Sequence, residues 1–172
     1  HTEDGTSADG GGVYVASNGR FEMSGGYIEN CKAFGAFNEG KGGGVYVGGT
    51  FSMTGGEIKN CETGGSGVIY ASNATVHIGG NAKITNNKSG NGGAFYVKND
   101  TRLTIDGNAE VFSELPASAP ASNTIYLVNY ATMTMNDAVV TNCFGAQGGA
   151  FYVENSTLVL NSGKISSNTS KY

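Results

Sequence analysis

Gly10–Cys31 reads GGGVYVASNGRFEMSGGYIENC, and Gly42–Cys61 reads GGGVYVGGTFSMTGGEIKNC. One chain carries nearly the same phrase twice, and such self-similarity is the mark of a repeat architecture. The motif Gly-Gly-small-apolar-Tyr-apolar returns as GGAFYV from Gly92 and again from Gly148. Degenerate copies, GSGVIY from Gly65 and SNTIYL from Ser122, fill the gaps. Six units therefore start near residues 10, 42, 65, 92, 122 and 148.

Each unit holds three short apolar pieces. The first pieces give the pairs Val13/Val15, Val45/Val47, Val68/Tyr70, Phe95/Val97, Ile125/Leu127 and Phe151/Val153. The second give Phe21/Met23, Phe51/Met53, Val76/Ile78, Leu103/Ile105, Met133/Met135 and Leu158/Leu160. The third place a small residue two before an aliphatic one, as in Gly26/Ile28, Gly56/Ile58 and Ala82/Ile84. Alternation with period two predicts strands with one buried face. The Gly, Asn and Ser clusters between them predict turns.

Three strands in units of about 23 to 32 residues fit one coil of a parallel β-helix. A single coil cannot bury its own apolar row, whereas stacked coils merge the rows into one core. The expectation is an all-β, right-handed, single-stranded parallel β-helix of about six coils, forming one domain over residues 1–172. A hairpin-based sandwich explains neither the equivalent positions of six units nor the fixed order of strands. After the third strand come Asn30-Cys31, Asn60-Cys61, Asn86-Asn87, Asn142-Cys143 and Ser167-Asn168. These small polar residues are expected to stack at one corner and to bond the rungs above and below. The fourth unit departs from this pattern, with LPASAPAS over 115–122 read as a bulging loop.

The units resemble the GGGVYV…F-x-M-x-GG-x-I-x-N repeats of large bacterial surface proteins, assigned to right-handed parallel β-helices of the pectate-lyase-like superfamily. The likeness spans residues 10–172. A partial likeness to chlamydial polymorphic outer-membrane proteins rests on Gly92-Gly93-Ala94-Phe95 and Gly148-Gly149-Ala150-Phe151. The resemblance implies a fold and an extracellular or cell-surface setting. It does not imply one activity, because that superfamily holds lyases, hydrolases, adhesins and passive stalks.

Composition narrows the classes further. The 172 residues include 29 Gly and only 2 Pro, with 14% charged residues and a net charge of -4. A weakly charged, acidic chain is a poor partner for nucleic acid, whose binding depends on Lys and Arg neutralising phosphates. No apolar run is long enough to span a membrane as a helix. No polar cap is visible at either end, and the chain begins abruptly at His1, so a segment of a longer surface protein is expected.

The chemistry-bearing residues are few. Asp100, Arg102 and Asp106 fall in one unit and are the minimum that could suggest a polysaccharide lyase or hydrolase. Asn99-Asp100 and Asp106-Gly107 are also ordinary turn pairs, and turn duty is the commoner reason for Asp there. His77 is the only internal histidine, expected to face outward without a second ligand nearby, so neither a metal nor a cofactor is expected. Cys31, Cys61 and Cys143 share one column and are expected as free, buried fillers. The outward, middle position of the first strand is read as Tyr14, Tyr46, Ile69, Tyr96, Tyr126 and Tyr152. Five tyrosines on one face stiffen the sheet as a ladder or form a binding surface.

The expectation is a non-catalytic extracellular module, adhesin-like or stalk, contacting glycans or host surface proteins through the tyrosine column. The alternatives are a carbohydrate-active enzyme using Asp100, Arg102 and Asp106, and an inert spacer.

Overall fold

The computed structural model describes residues 8–35, 39–114 and 124–171. The chain winds as a parallel β-helix whose three main sheets each hold six strands. The first sheet stacks β1 (Val13–Val15), β5 (Val45–Val47), β9 (Ile69–Ser72), β13 (Phe95–Lys98), β16 (Ile125–Val128) and β20 (Phe151–Glu154). The second stacks β2 (Arg20–Met23), β6 (Thr50–Met53), β10 (Thr75–Ile78), β14 (Arg102–Ile105), β17 (Thr132–Met135) and β21 (Thr157–Leu160). The third stacks β3 (Tyr27–Glu29), β7 (Glu57–Lys59), β11 (Lys83–Thr85), β15 (Glu110–Phe112), β18 (Val139–Thr141) and β22 (Lys164–Ser166).

The inward rows are the apolar pairs of the sequence. Phe51, Met53, Ile58, Ile78, Ile84, Phe95, Leu103 and Ile105 are fully buried between the sheets. At roughly 1.5–3 kcal/mol for each large side chain removed from water, these rows are the main favourable term holding the coils together. The rings of Phe21 and Phe51 stack inside the rod with centroids 5.1 Å apart. Outside it, Glu–Lys pairs bridge the rungs of the third sheet: Lys83 to Glu110 at 3.2 Å and Lys59 to Glu29 at 3.5 Å.

The corners are set by backbone conformation. Asn30, Asn60, Asn86, Asn142 and Ser167 all have φ between 53° and 57°. Asn tolerates this left-handed region better than other side chains, so its recurrence at the corner is conformational. Gly56 turns the chain into β7 with φ 85°, and a Cβ there would sit 2.6 Å from the carbonyl oxygen of Gly26 on the rung before.

Beyond that corner the chain adds short strands that the three-strand reading did not anticipate. Strands β4 (Lys32–Ala33), β8 (Glu62–Ser66) and β12 (Lys88–Asn91) form a small parallel sheet, and β19 (Phe144–Gly145) pairs with β23 (Thr169–Ser170). Side chains join rung to rung here. Asn87, fully buried, accepts the Cys61 N–H and donates to the Ile58 carbonyl, both at 2.9 Å. Asn168 repeats the arrangement, accepting the Cys143 N–H at 2.8 Å and donating to the Val140 carbonyl at 3.0 Å. The three cysteines are free; Cys61 and Cys143 are buried, while Cys31 is half-buried. The 115–122 loop lies outside the described residues.

One strand is shifted by a residue from its expected register. Ile69 pairs with Val45 and Phe95, and Tyr70 pairs with Tyr46 and Tyr96. Ile69 and Ala71 therefore face inward and Tyr70 faces outward, the reverse of the expected assignment. The cause is Val68, a buried aliphatic residue where the neighbouring rungs carry Gly44 and Ala94. Its volume breaks the alternation that the other units display.

Candidate functional site

The corrected register completes a ladder of six tyrosines: Tyr14, Tyr46, Tyr70, Tyr96, Tyr126 and Tyr152. Successive ring centroids lie 4.7, 5.3, 5.7, 6.1 and 4.8 Å apart. The first three pairs are stacked face to face within 19° of parallel; the last two are tilted at 36°. Ring faces therefore meet one another, and the ladder offers the exterior mainly ring edges and hydroxyls. Exposure varies along it. Tyr14 is 58% exposed, Tyr46, Tyr96 and Tyr152 are half-buried, and Tyr70 and Tyr126 are buried. The Lys41 ammonium lies 5.7 Å from the Tyr70 ring centroid. Burial pushes the phenols of Tyr46, Tyr96 and Tyr126 up, and that of Tyr70 up to about 12, so these remain neutral donors at physiological pH.

Beside the ladder the surface dips. The last inward column of sheet one is Val15, Val47, Ala71, Val97, Leu127 and Val153, and sheet two starts on Arg20, Thr50, Thr75, Arg102, Thr132 and Thr157. Between these columns lie residues 16–19 on the first rung, 48–49 on the second, 72–74 on the third and 98–101 on the fourth. The second connection is the shortest, and both its residues, Gly48 and Gly49, lack side chains. The long connections on either side become walls, and the result is a notch of about 590 Å³. Tyr14 and Tyr46 line it on the side of sheet one, Thr50, Thr75 and Arg102 on the side of sheet two, with Asn18 and Asp100 at its ends.

The structure thus divides the three residues that could suggest a lyase. Asp100 and Arg102 share the notch with the two tyrosines. Asp106 lies just past the other end of β14, where both its oxygens are 3.0 Å from His77 Nε2. His77 joins two rungs, with its Nδ1 3.5 Å from Ser52 Oγ. Gly79 makes room for the pair, because a Cβ there would collide with Asp106 Oδ1. Ser52, His77 and Asp106 occur in the order of a nucleophilic triad, but acyl transfer also needs N–H donors aimed at a developing oxyanion. The nearby backbone N–H groups of Gly79 and Asn81 are already bound to the carbonyls of Met53 and Thr54. The line acts as a clamp between rungs.

Among the described residues no three His, Cys, Asp or Glu side chains converge, and no helix is long and apolar enough to cross a membrane. No protein-family model, curated protein or solved structure matches this chain. Sequence reasoning missed Tyr70, Asn73 and the glycine floor of the notch. Unequal connection lengths were the available signal, and they acquire meaning only once the rungs are stacked.

Proposed function

We propose that this chain is a non-catalytic repeat module of an extracellular bacterial surface protein, which contacts glycans or host proteins along its tyrosine-bearing side. Its repeats are read as the GGGVYV…F-x-M-x-GG-x-I-x-N type within the pectate-lyase-like superfamily. The observation that carries the reading is the unbroken six-ring ladder with a polar notch at its edge. Phenol hydroxyls repeated at the rung spacing suit a partner that is itself extended and repetitive. Tyrosine is also among the residue types favoured in recognition surfaces. The engagement of Asp106 by His77, away from Asp100 and Arg102, supports binding over cleavage.

The mechanism is recognition by hydroxyls and ring edges, since the faces between successive rings are covered by stacking. Replacing Tyr46, Tyr96 and Tyr152 together by Phe keeps the stack and removes three hydroxyls. Wild type and this variant are compared on an array of immobilised glycans and host extracellular proteins. Binding by wild type that falls in the equally stable variant is the expected result. Binding by neither protein would leave the spacer role in its place.

A further inference from the structure

The notch differs in kind from the rest of the surface. Its ends are the first and fourth rungs, three intervals apart, or about 14 Å at the spacing of hydrogen-bonded strands. Its far wall is fixed from within. The buried Thr101 hydroxyl donates to the Lys98 carbonyl at 2.6 Å and accepts the Ala74 N–H at 3.2 Å. Asn99 donates to Ser72 Oγ at 3.0 Å, tying the same wall to the third rung. Asp100, held between these anchors with φ 55°, projects from the turn and is exposed.

Two charged side chains line the notch, Asp100 and Arg102, and their charges cancel. Among the described residues neither makes an ion pair or a side-chain hydrogen bond. A site with no net charge gives an ionic ligand no advantage. A carboxylate that only accepts and a guanidinium that only donates, lining one notch, suit a ligand whose groups do both. Neighbouring sugar hydroxyls are such groups. The amides of Asn18 and Asn73 add donors and acceptors, and the edges of Tyr14 and Tyr46 give an apolar wall for the C–H face of a pyranose. An apolar small molecule would prefer a mostly hydrophobic cavity, and an acidic polysaccharide would prefer a net positive one.

We infer that the notch over Gly48 and Gly49 is a subsite for a neutral saccharide of one or two pyranose rings, held between Asp100, Arg102 and the Tyr14/Tyr46 edge. This rests on the module being a binding protein, and adds the class of ligand and its place. Asp100 accepts from ring hydroxyls, Arg102 donates to them, and the four-residue walls stop a longer chain from lying along the rod within the notch.

The test is an NMR titration of the intact chain with lactose, cellobiose and maltose, and with sialyllactose as the acidic counterpart. Two variants accompany it. In Gly48→Gln the added Cβ meets nothing nearer than 3.4 Å, so the side chain fills the notch without a backbone clash. Asp100→Asn removes the charge with a residue that accepts a left-handed φ. At least one neutral disaccharide is expected to shift the Tyr14 and Tyr46 resonances. Binding should weaken about tenfold in Asp100→Asn, the usual scale for a charge-assisted hydrogen bond, and vanish in Gly48→Gln, with thermal midpoints unchanged. The inference is overturned if no neutral disaccharide binds, if sialyllactose binds more tightly, or if binding survives in Gly48→Gln. Array binding that persists in Gly48→Gln would sink the notch and leave the module reading standing; a wild type that binds nothing on the array removes that reading as well.

Discussion

Asn87 shows how much one side chain contributes in a coil that is mostly apolar. It has no exposed surface, and it satisfies one N–H and one carbonyl on the preceding rung, those of Cys61 and Ile58. Truncation to Ala would orphan the buried Cys61 N–H and remove one of the donors to the Ile58 carbonyl, which keeps its place in the β7/β11 ladder. An orphaned buried N–H carries a desolvation penalty of about 1–3 kcal/mol. Asn87→Ala should therefore lower the unfolding free energy by about 1–3 kcal/mol, read as a fall in urea midpoint at unchanged slope. The sequence placed Asn at this corner and expected it to bond neighbouring rungs. What it could not display is the partner: Asn87 bonds backbone, whereas the amide-to-amide pair Asn161–Asn136, at 2.9 Å, lies at another corner. An amide can serve either purpose, and only the geometry of the turn chooses.

The strand β9 is where alternation alone misleads. Val68, Ile69, Tyr70 and Ala71 are four consecutive residues able to face a core, so period two assigns either phase. The fold chooses the phase that stacks Tyr70 between Tyr46 and Tyr96, at 5.3 and 5.7 Å. Ile69→Ala should thus cost about 2–5 kcal/mol, as for a buried aliphatic residue, while Tyr70→Phe should leave stability within about 0.5 kcal/mol. Thermal melts of the two variants decide it, and the opposite order would restore the expected phase. The five other first strands were legible because each carries Tyr between its two apolar residues, which marks the phase. The short strands β4, β8 and β12 were not legible, since KA, ETGGS and KSGN have no apolar alternation. They exist because adjacent rungs bring their backbones into line. The notch was hidden for a related reason: the missing residues of one connection become a depression only beside longer neighbours.

The whole rod has a pH dependence that follows from its buried acids. Burial pushes the thiols of Cys61 and Cys143 up to about 12, and the Tyr70 phenol to about the same value. In an unfolded chain a cysteine loses its proton near pH 8.5. Between that value and about 12 the unfolded state sheds protons that the folded state keeps, so stability falls as pH rises. The contribution is fully present below the unfolded value and is lost progressively above it. By pH 10.5 each buried cysteine should have removed about 2 kcal/mol relative to pH 8. Urea unfolding across that range, beside a Cys61→Ala, Cys143→Ala double variant with a flatter profile, measures it. A wild-type profile as flat as the variant's would show that neither thiol is shielded. The same burial predicts that Cys31, which is half-buried, is alkylated first in the native protein.

The unequal corners also bear on how such a surface changes over generations. The inward rows of sheets one and two keep their register across connections that range from residues 48–49 to residues 98–101. A small insertion or deletion at this corner is therefore absorbed where it occurs and leaves the neighbouring coils in place. In most enzymes a pocket is altered by exchanging the residues that line it. Here a gain or loss of one codon at a corner raises a wall or opens a gap while the hydrophobic interior stays the same. Lineages of such rods can diversify what they touch by length variation alone, at little risk to folding.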